Sequence, residues 1–192
     1  PRCGRDAVSR EVEIIYGVDT MTLAGKVAAS FLRHGATICM VDEGGVGGGV
    51  VDRLRQLRIP VIGVDFGSSA DGFSNDGVKY ANKRAEIWGA IRDWLPTGSI
   101  PNISTNENTT LVDELTGPTY TLNKKEAIQL EGKKEMRSRG VPSPNAADAL
   151  ACTFAFPSFE YQNISPSGVR EVEKPTIAPD YNPFEMEQIY GA

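Results

Sequence analysis

Two aspartates in this sequence stand where carboxylates can do chemistry. Asp42 follows the apolar run 37–41 and precedes the glycine-dense turn 44–49, whereas Asp148 lies in the early turns of a helix near the other end of the chain. In an open α/β sheet, ligands gather at the carboxyl ends of the strands, where helix N-termini and flexible loops meet. Carboxylate oxygens are the ligands that Mg²⁺ and Mn²⁺ prefer. We therefore predict that Asp42 and Asp148 share a divalent metal ion.

Each aspartate also has a purely structural interpretation. Asp42 can cap its turn by accepting hydrogen bonds from the glycine amides that follow it. Asp148 is favoured near a helix N-terminus by the helix dipole, by ~0.3–1 kcal/mol, without any function. Function is favoured because a carboxylate beside apolar residues is costly to bury unless it is paired or bound to metal. Glu43 and Asn145 are possible auxiliary ligands, although orienting or capping is the more ordinary role of both.

The elements around Asp42 are predicted to alternate between strand and helix. Strands are expected at 11–16, 37–41 and 60–65. The intervening segments carry apolar residues at helical spacing, and the first of these helices is capped by Asp19 and closed by Gly35. Such alternation predicts right-handed βαβ crossovers and a largely parallel segment of sheet. The fold class is therefore α/β, a mixed sheet flanked by helices.

The second half of the chain is predicted to combine helices with one β-hairpin. Trp88 and Trp94, at helical spacing, are interpreted as core residues. Glycine and proline mark the ends of the elements. These elements are a long helix over 80–95, a short helix over 111–115, a hairpin of 119–122 with 127–130, a charged helix over 132–139, and a final helix from Ser143 and Pro144.

The charge of the chain is concentrated in its C-terminal tail. The net formal charge is −5, and residues 157–192 hold six acids, two bases and five prolines. Residues 1–156 are therefore close to neutral, so the overall charge does not exclude a polyanionic partner. We predict one domain over 1–156, followed by an irregular, Pro-rich acidic tail over 157–192 that is a linker or a partner-binding arm.

Several kinds of site are excluded by the residue inventory. The three cysteines have neither the spacing of a zinc site nor the even count of a disulfide framework. The single histidine, His34, ends a predicted helix, which excludes a histidine-based nuclease motif. The glycine turn lacks the third glycine of the dinucleotide fingerprint. No apolar stretch approaches the ~20 residues that span a bilayer, and no secretory signal is seen. The cysteine pattern favours a reducing, cytoplasmic setting.

A basic segment lies between the hairpin and the final helix. Residues 124–139 hold six basic and three acidic side chains, a local charge of +3. A solvated helical face is the ordinary explanation of such a run. The functional interpretation is a surface that follows a nucleic-acid backbone without reading bases. Its candidate DNA contacts are Lys83, Lys124, Lys125, Lys133, Lys134, Arg137 and Arg139.

Five segments, taken in order along the chain, resemble a known protein family. They are Gly17–Met21, Val41–Gly47, Asn82–Glu86, Ile128–Glu131 and Ser143–Leu150. Each segment is weak alone, but their order over residues 11–156 is fairly specific. The chain resembles the C-terminal nuclease domain of the large terminase subunit of tailed phages and prophages.

The resemblance implies a ribonuclease H-like fold and an endonuclease that cuts concatemeric double-stranded DNA with two Mg²⁺ or Mn²⁺ ions. Family members carry acids on the first strand, at the end of a later strand and on the last helix. Asp42 matches the second acid and Asp148 the third. The first has no match, because Asp6 lies in a polar turn and Asp19 caps a helix. The predicted nuclease domain thus lacks that strand, and the activity of the 192-residue chain by itself is left open.

The same resemblance implies a set of partners and a location. These are double-stranded DNA, a portal protein, a small terminase subunit, the ATPase domain of the same full-length protein, and the host cytoplasm. Two alternatives remain. One is a non-catalytic α/β module that docks a portal or packaging partner. The other is a different ribonuclease H-like nucleotidyl transferase.

Overall fold

The structure is a computed structural model that describes residues 2–3, 8–9, 12–101, 103–106 and 109–156. The predicted tail over 157–192 lies outside the described residues, so its boundary stays a prediction. The helices of the described part are α1 Thr20–Arg33, α2 Gly47–Gln56, α3 Lys83–Trp94, α4 Leu111–Thr116, α5 Lys133–Ser138 and α6 Asn145–Cys152. Its strands are β1 Arg2–Cys3, β2 Val8–Ser9, β3 Cys39–Asp42, β4 Val61–Val64, β5 Ser104–Asn106, β6 Thr109–Thr110, β7 Tyr120–Leu122 and β8 Ile128–Leu130.

The parallel strand pair β3–β4 forms the centre of the first half of the chain. Cys39 pairs with Val61, and Asp42 pairs with Val64 at the other end of the ladder. The crossover between these strands is α2, as expected for a parallel pair. The predicted parallel arrangement of these two segments is confirmed. The ladder begins two residues later than predicted and includes Asp42 itself, so the carboxylate sits on the last paired residue.

The predicted first strand over 11–16 is wrong for the residues that can be compared. Residues 12–16 lack strand structure, and no strand of the described part pairs with them. Val12 nevertheless packs against a buried cluster, and the Tyr16 hydroxyl donates to the carbonyl of Thr105 at 3.3 Å. Alternation of side chains describes which face is buried, but a strand also needs a partner backbone. The described parallel ladder is therefore two strands wide, not three.

Helices α1 and α2 cover one face of β3–β4. The Asp19 side chain accepts a hydrogen bond from the Thr22 amide at 2.8 Å and starts α1, as predicted. His34 caps the other end, and Gly35 follows with a φ of +56°. Helices α1 and α2 share a core, against which Cys39 and Val41 of β3 are packed. Its buried residues are Ala24, Ala28, Val50, Leu54 and Ile59.

Helices α3, α4 and α6 form the second core. This cluster includes Val64, Ile87, Trp88, Ile91, Leu111, Ala147, Leu150, Ala151 and Cys152, with Met40 of β3 packed against it. Successive strand residues point to opposite faces. Met40 therefore faces this second core while Cys39 and Val41 face the first. Asp42 shares the parity of Met40, which directs its side chain to the side of α6.

The β-hairpin β7–β8 and the charged helix α5 are confirmed close to their predicted bounds. Tyr120 pairs with Leu130, and Leu122 pairs with Ile128. The connecting turn is held by Asn123, whose Oδ1 accepts from the Lys125 amide at 2.8 Å. The hairpin is anchored to the segment before α3, because the Ala81 amide donates to the Ile128 carbonyl at 2.8 Å.

Within the described ranges, every helix falls short of the length and apolar character needed to cross a membrane.

Candidate metal and nucleic-acid site

Asp148 is buried and held by side chains from two other helices. It lies in the first turn of α6 and is 4% exposed. Its Oδ1 accepts hydrogen bonds from Arg84 Nε at 3.1 Å and from Trp88 Nε1 at 2.9 Å, both on α3. On α5, Lys133 Nζ lies 2.8 Å from Oδ2. That contact is an ion pair without hydrogen-bond angles, and within the described residues Oδ2 has no hydrogen-bond donor.

The start of α6 is fixed by a buried acid that sequence reasoning missed. Glu114 of α4 is 6% exposed, and its Oε2 accepts from the amides of Ala146 at 2.7 Å and Ala147 at 3.0 Å. The first amides of a helix have no partner within the helix, and a carboxylate placed there also interacts favourably with the positive end of the helix dipole. Glu114 therefore sets the position from which α6 delivers Asp148.

Asp42 is held locally, by the turn that follows it. Its Oδ1 accepts a hydrogen bond from the Gly44 amide at 3.0 Å, which confirms the capping interpretation for one oxygen. Gly47 packs so closely that a Cβ there would overlap the carbonyl oxygen of Asp42. The glycines of this turn therefore let helix α2 start directly against the end of β3.

Asp42 and Asp148 lie on the same side of the β3–β4 pair. Burial, together with the negative charges of Asp42 and Asp148, raises the pKa of Cys152 to about 12. Met40, two residues before Asp42, packs against the core that α6 helps to form, so Asp42 faces the α6 side of β3. Residues of α6 also contact β3 directly. The fold thus brings the two predicted acids to one region, on the side of the sheet that α6 covers.

The donor set available to a metal ion here is small. Among the described residues, no three His, Cys, Asp or Glu side chains are grouped so that they could hold one. Mg²⁺ is often bound by one or two carboxylates, and water and substrate phosphates complete its shell. The chemistry of two aspartates fits such a cation and does not fit zinc, although Oδ2 of Asp148 is paired with Lys133 in this structure.

The two auxiliary candidates make local contacts. Glu43 is exposed, and its side chain lies over Gly63 of β4. Asn145 is also exposed, and its Oδ1 accepts from the Ser143 hydroxyl at 3.0 Å. Their roles as metal ligands stay predictions.

Solved structures of one viral protein are similar to this chain. A lysine-to-alanine mutant of the nuclease domain of the large terminase subunit gp2 of bacterial virus Sf6, with manganese and beta-thujaplicinol, aligns with a TM-score of 0.66 and 22% identity, covering 79% of each chain. A mutant of that domain with calcium gives the same values. Another structure of the Sf6 nuclease domain gives a TM-score of 0.59 and 24% identity, covering 70% of this chain and 71% of that one.

The chain has the fold of a phage large-terminase nuclease domain. The ribonuclease H-like α/β class expected from the sequence is thereby confirmed. Comparison of the sequence with family models and with curated proteins gives no match.

In this terminase-nuclease fold, the predicted basic residues divide into paired and unpaired groups. The position of Lys83 does not favour contact with DNA. It is 7% exposed, and its Nζ lies 2.9 Å from Asp71 and 3.3 Å from Glu86. Arg139 forms an ion pair with Glu131 at 2.6 Å, and this partner lowers the pKa of Glu131 to about 2. Lys133 is paired with Asp148, whereas four further predicted contacts are exposed and form no ion pair with a described residue: Lys124, Lys125, Lys134 and Arg137.

The partners of Asp148 were the main residues that sequence reasoning missed. From the sequence, Trp88 is interpreted as a core residue and Lys133 as a DNA contact, and Arg84 is not singled out. A signal for two of them was present, because Arg84 and Trp88 are four residues apart and so share one helix face. Periodicity alone does not reveal that this face meets a buried acid.

A cavity of about 430 Å³ opens beside Arg84. Its polar lining includes Thr119, Thr121 and Gln129 of the hairpin region, and Glu135 of α5. The Asp148 region of the terminase-nuclease fold therefore borders a polar cleft between the hairpin, α3 and α5.

Proposed function

We propose that this chain is the metal-dependent endonuclease domain of a viral DNA-packaging terminase, and that it cleaves concatemeric double-stranded DNA. The observation that carries this proposal is that α6 packs against β3 and brings Asp148 to the side of the sheet that Asp42 faces, in a chain with the terminase-nuclease fold. One acid ends a strand, and the other is buried in the first turn of a helix, where its negative charge is offset by Lys133 at Oδ2. Both features are typical of a cation site at the carboxyl edge of a sheet.

Asp42 and Asp148 are the residues that would hold Mg²⁺ or Mn²⁺, with two ions in the complete site. When bound, such ions activate water and stabilise the leaving oxygen of a phosphodiester. The protein groups contribute charge and orientation. Lys133 offsets the negative charge of Asp148, and it must leave Oδ2 before that oxygen can bind a cation. Asp148 Oδ1 is held separately, by Arg84 and Trp88 of α3.

The exposed basic residues give the proposed enzyme a way to hold DNA without reading its sequence. Lys124 and Lys125 lie in the hairpin turn, and Lys134 and Arg137 lie on α5. Contacts of this kind neutralise phosphates, release counterions and weaken steeply with salt. We expect low sequence specificity. The further partners of such an enzyme are a portal protein, a small terminase subunit and the ATPase domain of the same protein, in the host cytoplasm.

Nicking of supercoiled plasmid DNA tests the proposal. With Mn²⁺ or Mg²⁺ present, we expect relaxed and linear products, and we expect Asp42→Asn and Asp148→Asn each to reduce their rate of formation by at least about 100-fold. The control is Asp52→Asn, an exposed acid on α2 whose ion pair is with Arg55. Mn²⁺ binding measured by calorimetry accompanies the assay. A chain that neither binds Mn²⁺ nor nicks DNA would contradict the proposal.

A second candidate function has one observation in its favour. Asp148 already faces Arg84, Trp88 and Lys133, which is also the arrangement of a structural ion pair in a non-catalytic docking module. In that case, the chain would bind no Mn²⁺, and replacement of either aspartate would not change this result. Another nucleotidyl transferase of this fold class would yield strand-transfer products instead of simple nicks.

A further inference from the structure

Arg84 and Trp88 meet the same oxygen of Asp148 from one face of α3. The two residues are one helical turn apart, and their donors lie 3.1 Å and 2.9 Å from Oδ1. The other oxygen, Oδ2, forms an ion pair with Lys133 and accepts no hydrogen bond from a described residue. The two oxygens of Asp148 thus have different environments.

Both donors are themselves held in place. Arg84 Nη1 donates to the carbonyl of Glu131 at 2.9 Å, and the guanidinium lies 5.8 Å from the centre of the Trp88 ring. The Arg84 side chain is 11% exposed, and Trp88 belongs to the second core. Because both donors are held, a tilt of the carboxylate out of its present orientation would weaken two hydrogen bonds at once.

We propose that Arg84 and Trp88 are positioning residues, which fix the carboxylate of Asp148 so that Oδ2 is presented to the cation. This inference rests on the proposed function, since it concerns the same acid. Groups that hydrogen-bond a metal ligand orient it, and their loss typically weakens metal binding about 10–100-fold. Trp88 and Arg84 would act only through Asp148 and would touch neither the cation nor DNA.

The sharpest test replaces Trp88 by Phe in the 192-residue chain. Phe keeps an aromatic ring but removes the indole donor to Asp148. The matched control is Trp94→Phe on the same helix, whose ring packs at 5.5 Å against Phe154 instead. We expect the Mn²⁺ dissociation constant, measured by titration, to rise about 10-fold or more in Trp88→Phe and to be unchanged in Trp94→Phe.

A second pair of variants covers the case in which Trp88→Phe fails to fold. Arg84→Lys keeps the charge but loses the fork that reaches both Asp148 and the Glu131 carbonyl. Its control is Arg92→Lys on the same helix, where the arginine pairs with exposed Asp93. We expect weaker Mn²⁺ binding only in Arg84→Lys. Thermal unfolding without metal is recorded for all four variants, so that a loss of stability is separated from a loss of affinity.

A readout that needs no metal completes the experiment. In ¹⁵N NMR spectra, we expect Asp148→Ala to shift the indole N–H resonance of Trp88 and to speed its hydrogen exchange, while Trp94 is unaffected. An unchanged Trp88 indole would overturn the inference. So would equal Mn²⁺ affinities in Trp88→Phe and Arg84→Lys and their controls, when the wild-type chain binds Mn²⁺. A wild-type chain that binds no Mn²⁺ overturns the proposed function, and the inference with it.

Discussion

The turn around Asp42 and the pocket around Asp148 hold the same kind of side chain in opposite ways. Asp42 is half-buried and accepts from an amide two residues away in the sequence. Asp148 is buried and accepts from Arg84 and Trp88, which are 64 and 60 residues away. One acid is therefore placed by its own loop and the other by the packing of three helices. The difference teaches that two acids on one side of a sheet can be placed independently, one by local sequence and the other by the packing of the whole domain.

The largest effect that would separate the two regions is on stability. We expect Asp148→Ala to lower the free energy of unfolding by about 3–5 kcal/mol, because Arg84 would be left buried without its charge partner. Asp42→Ala loses one exposed, local hydrogen bond, and we expect a loss of at most about 1 kcal/mol. Urea unfolding in metal-free buffer measures both. Equal losses would remove the distinction between the two acids.

A smaller effect tests how the Asp42 turn is built. We expect Gly47→Ala to destabilise the chain by about 1–3 kcal/mol, because the added methyl overlaps the carbonyl of Asp42 and displaces the start of α2. Gly48→Ala is the matched control, since a Cβ there lies 3.6 Å from the Glu43 carbonyl, an ordinary contact. Chemical denaturation measures the two variants side by side. If both behaved alike, close packing at the end of β3 would not be what fixes Asp42.

The smallest expected effect concerns the edge of the Asp148 pocket, where the Glu131 carbonyl holds Arg84. Hydrogen bonding to Arg139 lowers the pKa of the Glu131 carboxyl from 4.5 to about 2. A depressed carboxyl pKa stabilises the fold above the unfolded pKa, and this contribution is lost as the pH falls from 4.5 through 2. We expect Glu131→Gln to make stability less steeply dependent on pH in that window. Urea midpoints at several pH values provide the measurement, and an unchanged slope would contradict it.

The elements that were predicted correctly are those written in local sequence. Asp19 and Gly35 bracket α1 as a cap and a closing glycine, and the turn that begins at Asn123 joins the two strands of the predicted hairpin. Such signals depend on residues a few positions apart, so they survive in any tertiary context. The predicted strand over 11–16 failed because a ladder depends on a distant backbone that alternation does not report.

The predicted basic surface shows the same limit from the other direction. Lys83 was grouped with Lys124 and Lys125 because all are cationic, yet only the latter two are exposed. Asp71 and Glu86 surround the Lys83 ammonium. The sequence shows how many cationic side chains are present. Only the packing decides which of them form ion pairs with carboxylates and which stay exposed.

The sequence by itself indicated Asp42 and Asp148 as candidate site residues, the strand and the helix that carry them, and the terminase-like order of the segments. The tertiary structure decided that Asp148 is a buried residue with two donors on one oxygen, that Lys133 faces it, and that Glu114 starts its helix. The physical reason is distance along the chain. Caps, turns and amphipathic faces are short-range properties, whereas the environment of a buried charge is the sum of groups from elements that meet only after folding.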